Sequence, residues 1–284
     1  MPTNLDPDQP LLAGLIGDPV THSRSPQLHN AAFATLGIHA RYELWPTAAI
    51  ELAARVESLR APHVLGANVT LPHKIAVLPL LDRLDPLAEL IGAVNTIIRE
   101  ADGSLTGANT DAPAFLASLR EDGGYDPAGQ TIIILGASGA ARAAVMALAG
   151  AKVARLVIAN RTLQRAEELL GDLLAATDAD PLLFALAPND AGLPELLAEA
   201  SLIVNATSLG WHGDQSPLPA GLIPPGALVF DMIYRPTQLL RDAAARGART
   251  LDGAGMLARQ AALAFEHWTG HSAPLDIMRA ALKD

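Results

Sequence analysis

The stretch from Thr131 to Leu148 constrains this chain more than any other. Thr131-Ile132-Ile133-Ile134-Leu135 is an apolar run of strand length, suited to burial on both faces. Gly136-Ala137-Ser138-Gly139-Ala140-Ala141-Arg142 follows, and small residues continue as a helix to Leu148. A buried strand that turns through glycine straight into a helix opens a doubly wound α/β unit. The turn aims backbone N–H groups and the positive helix end at one place, which suits a pyrophosphate. Gly136 permits the tight turn, and Ala141 is small enough for helix and strand to touch. Ser138 stands where the usual fingerprint has its second glycine, so a ligand-free junction stays open as the plainer alternative.

The residues beyond this turn extend the pattern. Leu156–Ala159, Ser201–Asn205 and Leu228–Asp231 read as further strands, and Leu163–Ala175 as a helix. The second strand leads into Asn160-Arg161-Thr162, with Arg165 close behind. A site that prefers NAD usually has Asp or Glu there to accept from the ribose 2′-hydroxyl. Here cationic and hydroxyl donors stand instead, and guanidinium groups suit a phosphate. The expected cofactor is therefore NADP, with surface-solubilising arginines as the alternative.

The first half alternates strands and helices as well, which predicts a second α/β domain. Leu11–Ile16, Arg41–Leu44 and Val64–Val69 read as strands, and Ser25–Leu36 and Ile50–Leu59 as helices. A helical segment is expected from Pro72 through Leu81. Ala93–Arg99 and Ser104–Ala108 form a hairpin around the Asp102–Gly103 turn. The stretch 123–129 reads as a loop. Helices are expected over Met256–Trp268 and Pro274–Leu282, and periodicity leaves open which half they join.

Charge and composition remove several function classes. A formal net charge of −10 disfavours nucleic acid and anionic membranes as partners. With no cysteine, disulfides and thiolate metal sites are excluded, and no metal is expected. No apolar run approaches the roughly 20 residues that span a bilayer. Met1 to Pro10 carries Asp6 and Asp8 without a basic region, so it does not read as a secretory signal, and a cytoplasmic location is expected.

Three polar clusters of the first half are candidates for chemistry. In His22-Ser23-Arg24-Ser25-Pro26, two hydroxyls precede a helix and could hold a carboxylate. Plain helix capping accounts for them equally well. The second cluster is Asn68-Val69-Thr70-Leu71-Pro72-His73-Lys74, at a strand end. The third is Asn95 in Gly92-Ala93-Val94-Asn95-Thr96, with Asn109-Thr110-Asp111 soon after. A lysine and an aspartate brought together can transfer a proton at a reacting hydroxyl. Taken singly, Lys74 reads as a surface lysine and Asp111 as the cap of a helix starting at Asp111-Ala112-Pro113.

Taken in order, these motifs resemble those of the shikimate dehydrogenase family. They are Ser-x-Ser-Pro, Asn-Val-Thr-x-Pro-x-Lys, Gly-Ala-Val-Asn-Thr, Asn-Thr-Asp, the glycine loop and Asn-Arg-Thr, then Asn205-Ala206-Thr207-Ser208-Leu209-Gly210. Asp231-Met232-Ile233-Tyr234-Arg235-Pro236 and Gly253-Ala254-Gly255-Met256-Leu257 with Gln260 complete the series, so the likeness runs from about residue 12 to 270. The resemblance implies an N-terminal substrate domain, 1–112 completed by helices within 248–284, and a Rossmann NADP-binding domain, 113–247. The substrate is expected in a cleft between them. It implies an NADP-dependent oxidoreductase that interconverts 3-dehydroshikimate and shikimate in aromatic amino-acid (chorismate) biosynthesis. Ser23 and Ser25 match positions that bind the substrate carboxylate. Asn68, Thr70, Asn95, Tyr234 and Gln260 match positions around the ring, and Lys74 and Asp111 match the catalytic pair. Gly136, Ala137, Ser138, Gly139, Ala140, Asn160, Arg161, Thr162, Arg165, Met232 and Gly253 match cofactor contacts.

Three departures stand out: Ser138 for a glycine, Ala112-Pro113-Ala114 where glycines are common, and a short loop over Tyr234–Thr237. None touches Lys74 or Asp111, so any effect is expected on fine specificity. Quinate/shikimate and aminoshikimate dehydrogenases share most of these residues and are the near alternatives. A one-carbon folate dehydrogenase does not suit the Ser-x-Ser and Asn-Thr-Asp pattern. From another class, a non-catalytic NADP-binding regulator would bind cofactor without turnover. A homodimer is left open.

Overall fold

The computed structural model describes residues 9–176 and 181–283. The beginning of the chain, weighed above as a secretory signal, lies outside them through Asp8. The chain divides into two compact units. One comprises the described residues up to Asp111 and those from Ala258 onward; the other is Ala112–Leu257.

The first unit opens with β1 (Leu11–Gly17), α1 (Ser25–Thr35), β2 (Ala40–Pro46), α2 (Leu52–Ser58) and β3 (Val64–Val69). Then come the two-residue β4 (Arg83–Leu84), α3 (Pro86–Ile91), β5 (Thr96–Arg99) and β6 (Leu105–Ala108). The mixed sheet runs β2-β1-β3-β5-β6-β4. Strand β1 pairs in parallel with β2 and β3, whereas β5 is antiparallel to both β3 and β6. Local chemistry explains α3 well: the Asp85 side chain accepts from Ala88 N, Pro86 starts the helix, and Gly92 closes it at φ 66°. One apolar core gathers Ile16, Val56, Leu59, Val69, Val94, Ile97 and Leu105.

The second unit holds α4 (Asp111–Ala117, whose first residue closes the first unit), β7 (Thr131–Leu135), α5 (Gly139–Gly150), β8 (Arg155–Ala159), α6 (Leu163–Ala176) and β9 (Leu182–Leu186). It continues with α7 (Leu193–Ala198), β10 (Leu202–Asn205), β11 (Leu228–Asp231), α8 (Gln238–Ala245) and β12 (Arg249–Leu251). All six strands are parallel, in the order β12-β11-β10-β7-β8-β9. This is the doubly wound order, with the reversal beside β7. Helices α9 (Ala254–Thr269) and α10 (Leu275–Ala280) end the chain, and the residues of α9 from Ala258 onward belong with the first unit.

One expectation needs correction. No α-helix forms over 72–81; the segment makes turns and a short 3₁₀ stretch at Leu78–Leu80. Pro79 lies within it and removes a backbone donor there, so only isolated bonds such as Val77 N to His73 O (2.9 Å) survive. The second unit runs on to Leu257 and so includes β12. Strand β12 pairs with β11 as the edge strand of the parallel sheet.

Candidate active site

Strand directions gather the three polar clusters of the first unit at one end of its sheet. Strand β3 leaves the sheet at Asn68 and Val69, β5 enters it at Thr96, and β6 leaves it at Ala108. Because β5 is antiparallel to both, Asn68 pairs with Thr96 and Thr96 with Ala108. Strand β1 ends at the same edge, with Ile16 opposite Val69, so the loop carrying Ser23 and Ser25 starts there too.

Lys74 and Asp111 meet at this edge. Lys74 Nζ lies 2.5 Å from Asp111 Oδ2, with side chains 12% and 7% exposed. The other oxygen, Oδ1, accepts from Asn95 Nδ2 at 2.8 Å. The carboxylate is thus held at both oxygens, one by a charge and one by an amide. Asn95 is itself fixed: its Oδ1 accepts from Thr110 N at 2.7 Å, and its backbone oxygen accepts from Val69 N at 2.8 Å. Gln260, on α9, reaches the same amide, with Asn95 Nδ2 to Gln260 Oε1 at 3.5 Å. A half-buried ammonium beside an oriented carboxylate can deliver or take a proton at a bound oxygen.

The serine pair lies at the start of α1. Ser23 Oγ donates to Ser25 Oγ at 3.1 Å and accepts from Ser25 N at 3.2 Å. Helix α1 has Arg24 at its cap position with no side-chain cap bond of its own, while Ser23 Oγ takes the N–H of Ser25, the first helical residue. Thr70 is half-buried just after β3, its N–H donating to Ile16 O at 2.8 Å. Asn68 is buried; its Nδ2 donates to Asn95 O (3.2 Å) and Thr96 Oγ1 (3.1 Å), and its Oδ1 accepts from Tyr42 OH (2.9 Å).

In the second unit the glycine loop has the shape a dinucleotide needs. Gly136 has φ +108°, and a Cβ there would sit 3.0 Å from Thr207 Cγ2 and 3.1 Å from Ala206 O, so only glycine fits without strain. Ala137 and Ala140 flank the turn. Ser138 caps α5: its Oγ accepts from Ala141 N and donates to Ala206 O, at 3.2 and 2.9 Å. With ψ 175° and negative φ, the backbone conformation at 138 does not itself require glycine. The first-turn N–H groups of α5, from Gly139 on, lack intrahelical acceptors and face the carboxyl edge of the sheet.

After β8, Asn160 Nδ2 donates to Thr162 O at 2.7 Å and Arg165 N to Thr162 O at 3.1 Å, which shapes the turn into α6. Arg161 and Arg165 are exposed, and among the described residues no carboxylate ion-pairs with either. The residues present fit a nicotinamide dinucleotide with a ribose phosphate. Past β11, Met232 N donates to Asn205 O at 3.1 Å, and Gly253 packs so closely that a Cβ would meet Met232 O at 2.1 Å. Tyr234 follows in this loop, edge-on to Trp211 at 5.0 Å. Asp231 is fully buried and accepts from Asn205 Nδ2, Ile233 N and Thr237 Oγ1, at 2.9, 3.0 and 2.7 Å. Burial pushes its carboxyl above the usual range.

Three family models match this chain: a shikimate dehydrogenase substrate binding domain over residues 15–97, a shikimate / quinate 5-dehydrogenase model over 119–209, and a shikimate 5'-dehydrogenase C-terminal domain over 253–283. A shikimate dehydrogenase (NADP(+)) from Moorella thermoacetica is 47% identical over 277 residues, covering 96% of this chain and 92% of its own. The chain belongs to the shikimate dehydrogenase family. Among solved structures, shikimate 5-dehydrogenase from Thermus thermophilus in complex with NADP(H) and shikimate matches with a TM-score of 0.85 and 39% identity, over 96% of this chain and 98% of that one. Quinate dehydrogenase from Corynebacterium glutamicum in complex with NAD is similar at TM-score 0.86 and 30% identity, over 96% and 98%.

Within this shikimate dehydrogenase scaffold, the first unit brings together Ser23, Ser25, Asn68, Thr70, Lys74, Asn95, Asp111 and Gln260. The second carries the loop residues Gly136–Ala140, the turn Asn160–Arg165, Met232, Tyr234 and Gly253. Sequence reasoning passed over Thr110 and Tyr42. Thr110 was visible within Asn-Thr-Asp, and its hydroxyl accepts from Asn95 Nδ2 at 2.9 Å. Tyr42 gave no signal, being one aromatic residue in a strand. Among the described residues no group of three or more His, Asp or Glu could hold a metal ion, and no helix is long and apolar enough to cross a membrane.

Proposed function

We propose that this protein is an NADP-dependent oxidoreductase that interconverts 3-dehydroshikimate and shikimate, with Lys74 and Asp111 as its proton-transfer pair. The observation that carries the reading is the Lys74 Nζ to Asp111 Oδ2 contact of 2.5 Å, with Asn95 on the second carboxylate oxygen. The dinucleotide, held by residues 136–140 and 160–165, would supply the hydride chemistry: acceptor from the ring C3 of shikimate as NADP, and donor to the carbonyl carbon of 3-dehydroshikimate as NADPH. Negative charge develops on the carbonyl oxygen as hydride arrives. Lys74 stabilises that charge and gives the oxygen a proton; in the other direction it takes the proton away. Asp111 keeps the ammonium in place and Asn95 keeps Asp111 in place.

Ser23 and Ser25 would bind the substrate carboxylate through hydroxyls, in a protein whose net charge is −10. Asn68, Thr70, Asn95, Asp111, Tyr234 and Gln260 would contact the ring and its hydroxyls. Residues 136–140 would take the pyrophosphate, and Asn160, Arg161, Thr162 and Arg165 the ribose phosphate, with Met232 and Gly253 at the nicotinamide end. The cytoplasmic location belongs to the same reading.

A panel of shikimate and quinate against NADP and NAD, read at the nicotinamide absorbance, tests the assignment. Shikimate with NADP should give the highest kcat/KM. A preference for quinate with NAD would move the protein to the quinate-type enzymes, and cofactor binding without turnover on either acid would make it a regulator.

A further inference from the structure

We infer that Tyr42 is a positioning residue for the substrate subsite, tethering through its hydroxyl the oxygen of the Asn68 amide. The inference rests on the proposed reading of the first unit as the shikimate-binding one. Tyr42 lies in the middle of β2 with 2% of its surface exposed. Two consecutive residues of α1, just past the serine pair, hold it. The His29 ring stacks on the Tyr42 ring with centroids 4.3 Å apart and planes at 5°. Asn30 clamps the Tyr42 backbone at both groups: Nδ2 donates to Tyr42 O at 3.1 Å, and Oδ1 accepts from Tyr42 N at 2.8 Å. The Trp268 ring lies 6.1 Å away, so the phenol is packed against two rings and tied at its backbone.

What the phenol does follows from counting donors and acceptors. A side-chain amide has two N–H donors and two oxygen lone pairs. Asn68 spends both donors, on Asn95 O and Thr96 Oγ1, and one lone pair on Tyr42 OH. One lone pair is left, so Asn68 can meet a ligand only as an acceptor, the match for a ring hydroxyl. The Asn95 carbonyl, which only accepts, keeps the nitrogen on its side, and the Tyr42 hydroxyl holds the oxygen end in place as its one side-chain donor. Burial raises the phenol's pKa, so it stays a donor at any working pH, and the Ser25 hydroxyl interacts with the same group. The polar residues 29 and 30 after the serine pair thus have a function: they hold the residue that couples the serines to Asn68.

The test uses the whole enzyme with shikimate and NADP. Tyr42→Phe keeps the ring on His29 and removes one oxygen. The KM for shikimate should rise about tenfold, as expected for one hydrogen bond, with the KM for NADP within twofold. In an Asn68→Ala background the same change should add less than twofold, because the amide it tethers is gone. Asn30→Ala, which releases the Tyr42 backbone, should raise the same KM and serves if Tyr42→Phe does not fold. A merely structural role would lower the folded fraction and leave KM unmoved. An unchanged shikimate KM in active Tyr42→Phe, or full additivity with Asn68→Ala, overturns the inference. Wild-type protein that fails to turn over shikimate overturns the underlying reading instead.

Discussion

At the scale of single residues, the site depends on burial making ordinary side chains behave specially. Asp111 is 5% exposed, and two donors from different parts of the sequence satisfy it. Asp111→Asn removes the charge that holds Lys74 and puts an amide N–H where an acceptor stood. We expect a fall in kcat of at least tenfold together with a higher KM for shikimate; unchanged values for both would refute the pairing. His29 offers a second residue-scale prediction. Its ring is fully buried, and neither nitrogen has a well-formed hydrogen-bond partner among the described residues. Burial lowers its pKa from 6.5 to about 3, an effect that the nearby Asn68 only partly offsets. The folded state therefore tolerates only the neutral ring, while the unfolded chain protonates near pH 6.5. This stability is fully present above pH 6.5 and is lost as pH falls toward 3. Between pH 7 and 5 wild type should lose about 2 kcal/mol more than His29→Phe in denaturant unfolding. Equal losses would contradict it.

At the scale of elements, the structure shows where sequence patterns suffice and where they do not. The β7–turn–α5 unit was legible because each residue reports its own job: apolar strand, glycine with positive φ, small helix. Ser138 looked like a defect in the loop, but its side chain caps α5 and tethers the turn to Ala206. The β5–β6 hairpin was legible from Asp102–Gly103, where Ser104 N donates to Asp102 Oδ1 at 2.9 Å. The segment 72–81 misled because its apolar spacing is helical while Pro79 denies it a donor. Strand β9 went unread because it is an edge strand, with Leu182 and Phe184 exposed and no clean alternation. The turn into α6 carries a prediction of its own. Replacing both Arg161 and Arg165 by Ala should raise the KM for NADP at least tenfold and barely change that for NAD, since only the phosphate loses its partners. Equal effects on both cofactors would sink the NADP assignment at this turn.

For the whole molecule, two sheets of different kinds divide the work. A mixed sheet gathers Asn68, Lys74, Asn95 and Asp111 at one edge because β5 runs against its neighbours. A parallel sheet puts every βα turn at its carboxyl edge, where the glycine loop, the arginine turn and the Met232 segment all lie. The residue types in both sites could be read from the sequence. The meeting of residues 74 and 111 could be named there only by family resemblance, since it depends on strand order and direction. The direct measurement is the turnover of Lys74→Ala with shikimate and NADP. We expect kcat to fall by about a hundredfold or more while the KM for shikimate stays within about threefold. A variant turning over at nearly the wild-type rate would contradict it.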